Sequence, residues 1–181
     1  MSIREDIIKA ASAYLGKTEK PGNMGFVDPE FDRKMKAVGF QLTHAWCAYF
    51  AELIYKDAQV LPFDILDKLH SAGAVRTFNN YKRQFPRAVS MVPTIGALAA
   101  WRQMVNGKPH PKGYGHIGIV EQPMGHAFIT IDGNTNDGGG REGYIVAQKT
   151  RKLSDATRPH GLQLLGFIDP VVCRDIYMGL E

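Results

Sequence analysis

In the first half of the chain, the apolar residues recur at the spacing of an α-helix. The first such run opens with Ser2 and Glu5, which form a capping-box pattern, and it stops at Gly16. Its apolar positions lie three or four residues apart and are Ile7, Ile8, Ala11, Tyr14 and Leu15. The pattern predicts an amphipathic helix with one face on the core.

The same spacing predicts more helices before residue 86. Asp28 followed by Pro29 is typical of an N-cap and a proline in the first helical position. Thr43 is placed to cap a third helix over residues 44–58, which are mostly Ala, Leu, Ile and aromatic types. Residues 64–85 also have a helical pattern.

The second half of the chain has the period of β-strands. Five short segments are rich in β-branched and apolar residues and are separated by Gly, Pro or Asn: residues 97–103, 115–122, 127–133, 143–152 and 161–168. Gly125-His126 and residues 136–140 have the composition of hairpin turns. Helices followed by an antiparallel meander predict an α+β fold, with helices packed on one side of a small sheet. Because no repeat or linker divides the chain, we expect residues 1–181 to form a single domain.

Charge and hydropathy narrow the partners and the location. A net charge of +4 favours a polyanionic partner, but the basic residues are scattered, so we expect no nucleic-acid binding. No apolar run approaches the roughly 20 residues that span a bilayer, so we expect no stable membrane insertion. The charged N-terminus lacks an apolar signal segment. We therefore expect a monomer that is made in the cytoplasm and leaves it without a cleaved signal peptide.

The two cysteines, Cys47 and Cys173, match no metal-ligand spacing, and a chain without a secretory signal favours reduced thiols. Cys47 falls within the first turn or so of the third predicted helix, where free N–H groups and the helix dipole favour a thiolate. A thiolate is the attacking form of a nucleophilic cysteine. Burial as a small apolar side chain fits this segment equally well. Cys173, in a polar tail, is interpreted as structural or incidental.

Six histidines compete as the base for this nucleophile. His116 opens an apolar strand that would hold the ring rigidly, and Gly115 and Gly118 leave room for close approach of substrate or another backbone. An ordinary histidine suits proton transfer near neutral pH, although a hydrogen-bonded core histidine is the alternative. His44, three residues before Cys47, is a second candidate on the same helix face. The other four are interpreted as solvated surface: His70, His110, His126 and His160.

A third polar residue usually orients such a histidine. On the next predicted strand, alternation places Thr130, Asp132 and Asn134 on one face, and a hairpin brings that face beside His116. Asp132 would fix the imidazole tautomer and stabilise the imidazolium, and Asn134 would do so as a neutral partner. A simple turn-forming Asp-Gly-Asn sequence is the alternative.

These residues carry a resemblance to a known family. The order Cys, His, then an acidic or amide residue is similar to that of papain-like enzymes, and the local sequences resemble the CHAP group of cysteine amidohydrolases and peptidases. Residues 45–50 resemble its nucleophile helix, and residues 115–121 resemble its histidine strand. Residues 131–136 resemble the strand of its third residue. Residues 16–23 are similar to a loop in a phage-associated branch of the group.

The resemblance implies a papain-like fold and hydrolysis of bacterial peptidoglycan. The bond would be the N-acetylmuramoyl-L-alanine amide or a peptide bond of the stem or cross-bridge. It also implies a thiol acyl-enzyme on Cys47, assisted by His116 and by Asp132 or Asn134, with no cofactor or metal in the chemical step. Gln41, six residues before Cys47, has the spacing of the papain-like glutamine that donates to the oxyanion. A surface glutamine in a turn is the alternative.

Two further sets of residues have a functional and a structural interpretation. Trp46 and Trp101 are candidates to line a groove and stack on a sugar or peptide, with core packing as the alternative. Asp28, Glu30 and Asp32 alternate as calcium ligands do, but with no glycine turn between them they are interpreted as a helix start.

Several biological settings fit this chemistry. A phage endolysin released through a holin lesion and a toxin injected by a secretion machine both suit one domain without a signal. An intracellular cysteine amidase acting on a small peptide conjugate is an alternative. A non-catalytic binding module that keeps the fold is another, and the reactivity of Cys47 separates it from the enzymes.

Overall fold

Helices come first along the chain and strands second, as the hydrophobic pattern predicts. The computed structural model describes residues 2–136 and 143–180. Within these residues the α-helices are α1 (Ile3–Ser12), α2 (Pro29–Ala37), α3 (Cys47–Asp57), α4 (Phe63–Leu69), α5 (Ala74–Gln84) and α6 (Pro170–Met178). The strands are β1 (Val89–Ser90), β2 (Leu98–Val105), β3 (Lys108–Pro109), β4 (Gly115–Met124), β5 (Ala127–Thr135), β6 (Ile145–Lys152) and β7 (Gly161–Ile168).

The described strands form one antiparallel sheet in the order β1-β7-β2-β4-β5-β6, with β3 paired to β2. The β4–β5 hairpin lies between β2 and the edge strand β6, and in it Ile119 lies opposite Ile131. On the other side of β4, Trp101 of β2 lies opposite His116. Helices pack against this curled sheet, so the predicted α+β, papain-like class is confirmed.

The two faces of the sheet carry different side chains. On one face Ile117 and Ile119 belong to the large core that the helices cover. On the other face Trp101 and Phe128 belong to a smaller apolar cluster. Because successive residues of a strand point to opposite faces, His116 shares the face of Trp101.

Helix α3 lies in the middle of the core, and every residue from Cys47 to Tyr55 is buried. The Tyr55 hydroxyl donates to the carbonyl oxygen of Gly96 at 3.0 Å. Gly133 of β5 lies against the first turn of the helix, where an added Cβ would be 2.6 Å from Cβ of Phe50. The helix therefore approaches the sheet this closely only because position 133 has no side chain.

The predicted start of the third helix is wrong by three residues. The helix begins at Cys47, and Trp46 is its N-cap. Thr43 lies in the preceding loop at φ +71°, where its N–H donates to the carbonyl oxygen of Asn23 at 2.9 Å. The left-handed backbone of Thr43 is incompatible with the extended conformation of an N-cap.

The other helix predictions hold with one change. Ser2 and Glu5 form the capping box, and Asp28 caps α2. Residues 64–85 form two helices instead of one, because the chain turns between α4 and α5. In that turn the Ser71 hydroxyl hydrogen-bonds the backbone two residues later.

The five predicted strands are present, with ends that differ by at most two residues. Gly125 and His126 form the predicted turn between β4 and β5. Of the other predicted turn, residues 137–140 lie outside the described residues. Cys173 lies in α6 with no exposed surface, which is a structural position, and burial raises the pKa of its thiol. Across the described ranges, none of the helices is long and apolar enough to cross a membrane.

Replacing Gly133 by Ala should destabilise the protein by about 1–3 kcal/mol, because the new methyl group overlaps Phe50 and the ring of Trp46. Urea denaturation monitored by tryptophan fluorescence measures this loss. Gly73→Ala is the matched control, since an added Cβ there meets nothing closer than 3.9 Å. Equal stability of the Gly133→Ala variant and the wild type would show that α3 does not depend on this contact.

Candidate active site

Cys47 is the first residue of α3, closer to the helix terminus than the sequence predicts. A backbone N–H at this position has no partner within the helix, and the positive end of the helix dipole lies beside it. The side chain keeps a small exposed surface, 6% of its residue maximum, so it borders solvent from a buried position. The start of the helix therefore offers an N–H donor next to the thiol.

Trp46, the residue before Cys47, is held in place by its side chain. Its indole Nε1 donates to Oε2 of Glu19 at 2.5 Å, and its ring meets that of Phe26 edge to face at 5.0 Å. The side chain has no exposed surface. The prediction that Trp46 stacks on substrate is wrong, because a ring buried in this way cannot reach a ligand. Core packing, the alternative, is what the structure shows.

Trp101 is also buried completely, so the same correction applies to it. Its ring stacks on Phe128 at a centroid distance of 6.1 Å and lies 5.8 Å from the ring of His116. Trp101 thus forms part of the floor beneath the histidine instead of a platform for substrate.

His116 stands at the start of β4 and joins two groups. Its Nε2 lies 2.9 Å from Oδ2 of Asp132. The Cys47 thiol is its other neighbour and raises the pKa of the imidazole. Since Nε2 is engaged by the carboxylate, Nδ1 is the ring nitrogen left for the thiol. The three residues are therefore grouped in the order that a nucleophile, a base and an orienting group require.

Asp132 is fully buried, and its Oδ2 accepts from two donors. One is His116, and the other is Nη2 of Arg151 in β6. The carboxylate fits because Gly118 of β4 has no side chain: an added Cβ there would collide with Oδ1. The room predicted at Gly118 is thus occupied by Asp132, and the room predicted at Gly115 is occupied by the Trp101 backbone.

Arg151 was missed in the sequence, where it is one of several charged residues in an alternating, partly exposed strand. In the sheet it pairs with Phe128, and its guanidinium carbon lies 4.9 Å from the centre of the Trp101 ring. The sequence held one signal for it: a cation that accompanies Asp132 is expected on a strand that pairs with the strand of Asp132.

Asn134 lies outside the regular alternation of β5. Its φ is +54°, and the pairing of β5 with β6 shifts register between Asp132 and Thr135. The prediction that Asn134 shares one strand face with Asp132 is therefore wrong in geometry. The described contacts join Asp132 to His116, which favours the carboxylate as the orienting group.

The charges of the pair stabilise each other. Burial lowers the pKa of His116, but the Asp132 carboxylate and the Cys47 thiol outweigh burial and bring it to about 9. Burial raises the pKa of Asp132, but the Arg151 cation and then His116 outweigh it and hold the pKa well below its usual range. At neutral pH the site therefore holds an imidazolium beside a carboxylate.

The remaining histidines lie elsewhere. His44 is exposed and stacks on Tyr49, with Nδ1 3.3 Å from the hydroxyl oxygen of Tyr49. Its described contacts therefore do not include Cys47.

His70 was expected at the surface, but it is 5% exposed and its Nε2 lies 2.9 Å from the Tyr81 hydroxyl oxygen. Burial lowers its pKa to about 3, so it is a neutral core residue. The exposed positions of His126 and His160 agree with their prediction as surface, and His110 is half-buried against Tyr114.

Two other predictions concern the possible oxyanion donor and the possible calcium ligands. Gln41 is exposed in the loop before α3, and its carbonyl oxygen accepts from the His44 N–H at 3.2 Å. Its role as an oxyanion donor stays a prediction. Asp28 caps α2 and Asp32 pairs with Lys36, which agrees with a helix start. No group of acidic, histidine or cysteine side chains in the described ranges is arranged to hold a metal ion.

A family model described as the CHAP domain matches residues 39–134, just over half of the 181-residue chain. The matched segment includes Cys47, His116 and Asp132, whereas Arg151 lies beyond it. No curated protein and no solved structure matches the chain. The resemblance seen in the local sequences is thereby confirmed at the level of the family.

The Asp132→Asn variant should bring the pKa of His116 from about 9 to below 6.5, because burial remains and the neighbouring carboxylate is gone. NMR titration of the imidazole measures this change. Asp155→Asn, which removes a carboxylate paired with Arg158 and not with His116, is the control. A His116 pKa that stays near 9 in Asp132→Asn would contradict the pairing.

The same coupling predicts the sign of a pH effect on stability. The folded pKa of His116, about 9, exceeds the unfolded value near 6.5, so its stabilisation is complete below pH 6.5 and is lost by about pH 9. Urea denaturation of the wild type should show this loss. Asp132→Asn should flatten the His116 contribution over the same interval, and an unchanged slope would argue against the assignment.

Proposed function

Because the chain belongs to the CHAP domain family of cysteine- and histidine-dependent amidases and peptidases, we propose that Cys47 attacks an amide bond of peptidoglycan. The family implies peptidoglycan hydrolysis in general terms. The observation that supports the specific proposal is the grouping of three residues: His116 is hydrogen-bonded to the buried Asp132, and the Cys47 thiol at the start of α3 is its other neighbour. A binding module that only keeps the fold has no need for a charged pair in its interior.

The proposed reaction begins with attack of the Cys47 thiolate on the carbonyl carbon of the amide. The oxyanion that forms is stabilised by the Cys47 backbone N–H at the start of α3 and by a second donor. The His116 imidazolium gives its proton to the departing amine, and the C–N bond breaks to leave a thioester. His116, now neutral, takes a proton from water, and the resulting hydroxide attacks the thioester. Cleavage of the C–S bond releases a carboxylic acid and restores the thiolate–imidazolium pair.

Asp132 has two roles in this scheme. Its hydrogen bond to Nε2 directs Nδ1 towards the thiol and the leaving amine. Its charge stabilises the imidazolium, so the acid that protonates the amine is present before the substrate binds. The proposal therefore assigns the third role to Asp132 and not to Asn134.

We extend the proposal to the biology of a phage-type lytic enzyme. The local sequence at residues 16–23 supports it, and in the structure this loop pairs with β6 and positions Trp46 through Glu19. Such an enzyme would be made in the cytoplasm, act on the wall as a monomer and reach it through a holin lesion. A toxin with the same chemistry would differ in its delivery by a secretion machine.

The Cys47→Ala variant should lose at least about 10³-fold in the rate of peptidoglycan digestion, because the nucleophile is gone. Zymography and mass spectrometry of released muropeptides measure this loss. The control Cys173→Ala removes the other thiol, which lies in α6, and should keep the activity. Lysis by Cys47→Ala would refute the proposal. Muropeptides left whole by the wild type would instead favour an intracellular amidase acting on a small conjugate.

Gln41→Ala should lower kcat about 10²–10³-fold, with little change in KM, if its amide is the second oxyanion donor. The control Gln84→Ala removes an exposed glutamine at the end of α5. Steady-state kinetics on the muropeptide identified by mass spectrometry distinguishes the two. A kcat within twofold of wild type would exclude Gln41 and leave it as a surface residue of the loop.

A further inference from the structure

We propose that Arg151 is a positioning residue, which holds the Asp132 carboxylate ionised and in place behind His116. It would thereby set the pH range in which the Cys47–His116 pair works. This inference rests on the proposed function, since it concerns the same site. Arg151 lies on β6, outside the segment that the family model matches.

The geometry of the carboxylate is the first support. Oδ2 of Asp132 accepts from both His116 and Arg151, whereas Oδ1 is buried without a hydrogen-bond partner among the described residues. Both donors of this carboxylate thus meet at one oxygen, Oδ2. Arg151 is therefore one of two groups that fix where Nε2 of His116 finds its acceptor.

The position of Arg151 is itself fixed. Its guanidinium lies over the Trp101 ring at 4.9 Å, and Trp101 is fully buried against Phe128. A cation over an aromatic face is attracted by the ring, most strongly where water is excluded. Nε of Arg151 is buried without a hydrogen-bond partner among the described residues, which costs free energy. This arginine is thus held for its charge at Asp132 and not for the number of its hydrogen bonds.

The charge of Arg151 determines in which direction protonation at the site changes when this residue is replaced. An isolated buried carboxylate is strongly disfavoured and takes up a proton unless a cation accompanies it. The exposed fraction of the Asp132 side chain is 0%, and that of Arg151 is 19%, so solvent screens their interaction little. Removing the Arg151 cation favours proton binding at every neighbouring group. The protonation steps of the whole site should therefore move to higher pH together.

The test compares Arg151→Met, Arg151→Lys and the parent in a Cys173→Ala background, so that Cys47 is the cysteine that reacts. The rate of alkylation by iodoacetamide is measured from pH 4 to pH 10, which needs no peptidoglycan. Arg151→Met should move the titration of Cys47 reactivity upward by about one pH unit. It should also lower kcat on peptidoglycan at neutral pH about tenfold. Arg151→Lys, which keeps the charge, should recover most of the shift.

Arg102→Met is the matched control, because Arg102 lies on β2 and donates to Gln163 instead of Asp132. It should leave the alkylation profile unchanged. A profile for Arg151→Met that falls in amplitude but keeps its pH limits would overturn the proposal and indicate a structural role. Equal alkylation profiles of the Met and Lys variants would also overturn it. If Arg151→Met does not fold, the alkylation profile of Arg151→Lys alone is compared with that of the parent.

The outcomes also separate this inference from the proposed function. If the alkylation profile shifts but the wild type leaves peptidoglycan intact, Arg151 positions Asp132 and the assignment of substrate is wrong. If the wild type digests peptidoglycan and the profile does not shift, the function stands and the role of Arg151 is refuted.

Discussion

The site depends on one constraint: a carboxylate, Asp132, is charged where it has no contact with solvent. A buried charge of this kind persists only with opposite charges at contact distance. His116 supplies one from β4 and Arg151 supplies another from β6, so three adjacent strands meet at a single oxygen atom. The glycine at position 118 follows from the same constraint, since any side chain there would occupy the space of the carboxylate.

The position of the nucleophile depends on a second close approach. Gly133 follows Asp132 in β5, and its missing side chain admits the first turn of α3. The same short segment of strand thus holds the carboxylate on one face and seats the nucleophile helix on the other. Trp46, whose indole is hydrogen-bonded to Glu19, holds the backbone immediately before Cys47 in place. Distances within the site are therefore set by packed backbone and not by flexible side chains.

Much of this arrangement follows from local sequence signals. Capping residues predicted α1 and α2, and the period of two predicted the main strands and the hairpin that pairs His116 with Asp132. The start of α3 was missed because the left-handed backbone of Thr43 leaves no local trace, and His70 was misplaced because its burial depends on α5. The role of Arg151 was not predicted because it arises only when β6 pairs with β5 and the Arg151 side chain lies over Trp101. Local pattern predicts elements, but it does not identify which of several similar cations meets a buried anion.

The balance of charges bears on how the proposed chemistry starts. A His116 pKa of about 9 means that the imidazole is already protonated at neutral pH. In the proposed reaction the attacking group is the Cys47 thiolate. Attack then needs no proton transfer, and the proton on His116 is reserved for the departing amine. The histidine acts first as an acid and as a base only when water attacks the thioester. The ion pair of Asp132 and Arg151 presents an acceptor with less net charge than a bare carboxylate, which keeps the imidazolium acidic enough to release that proton.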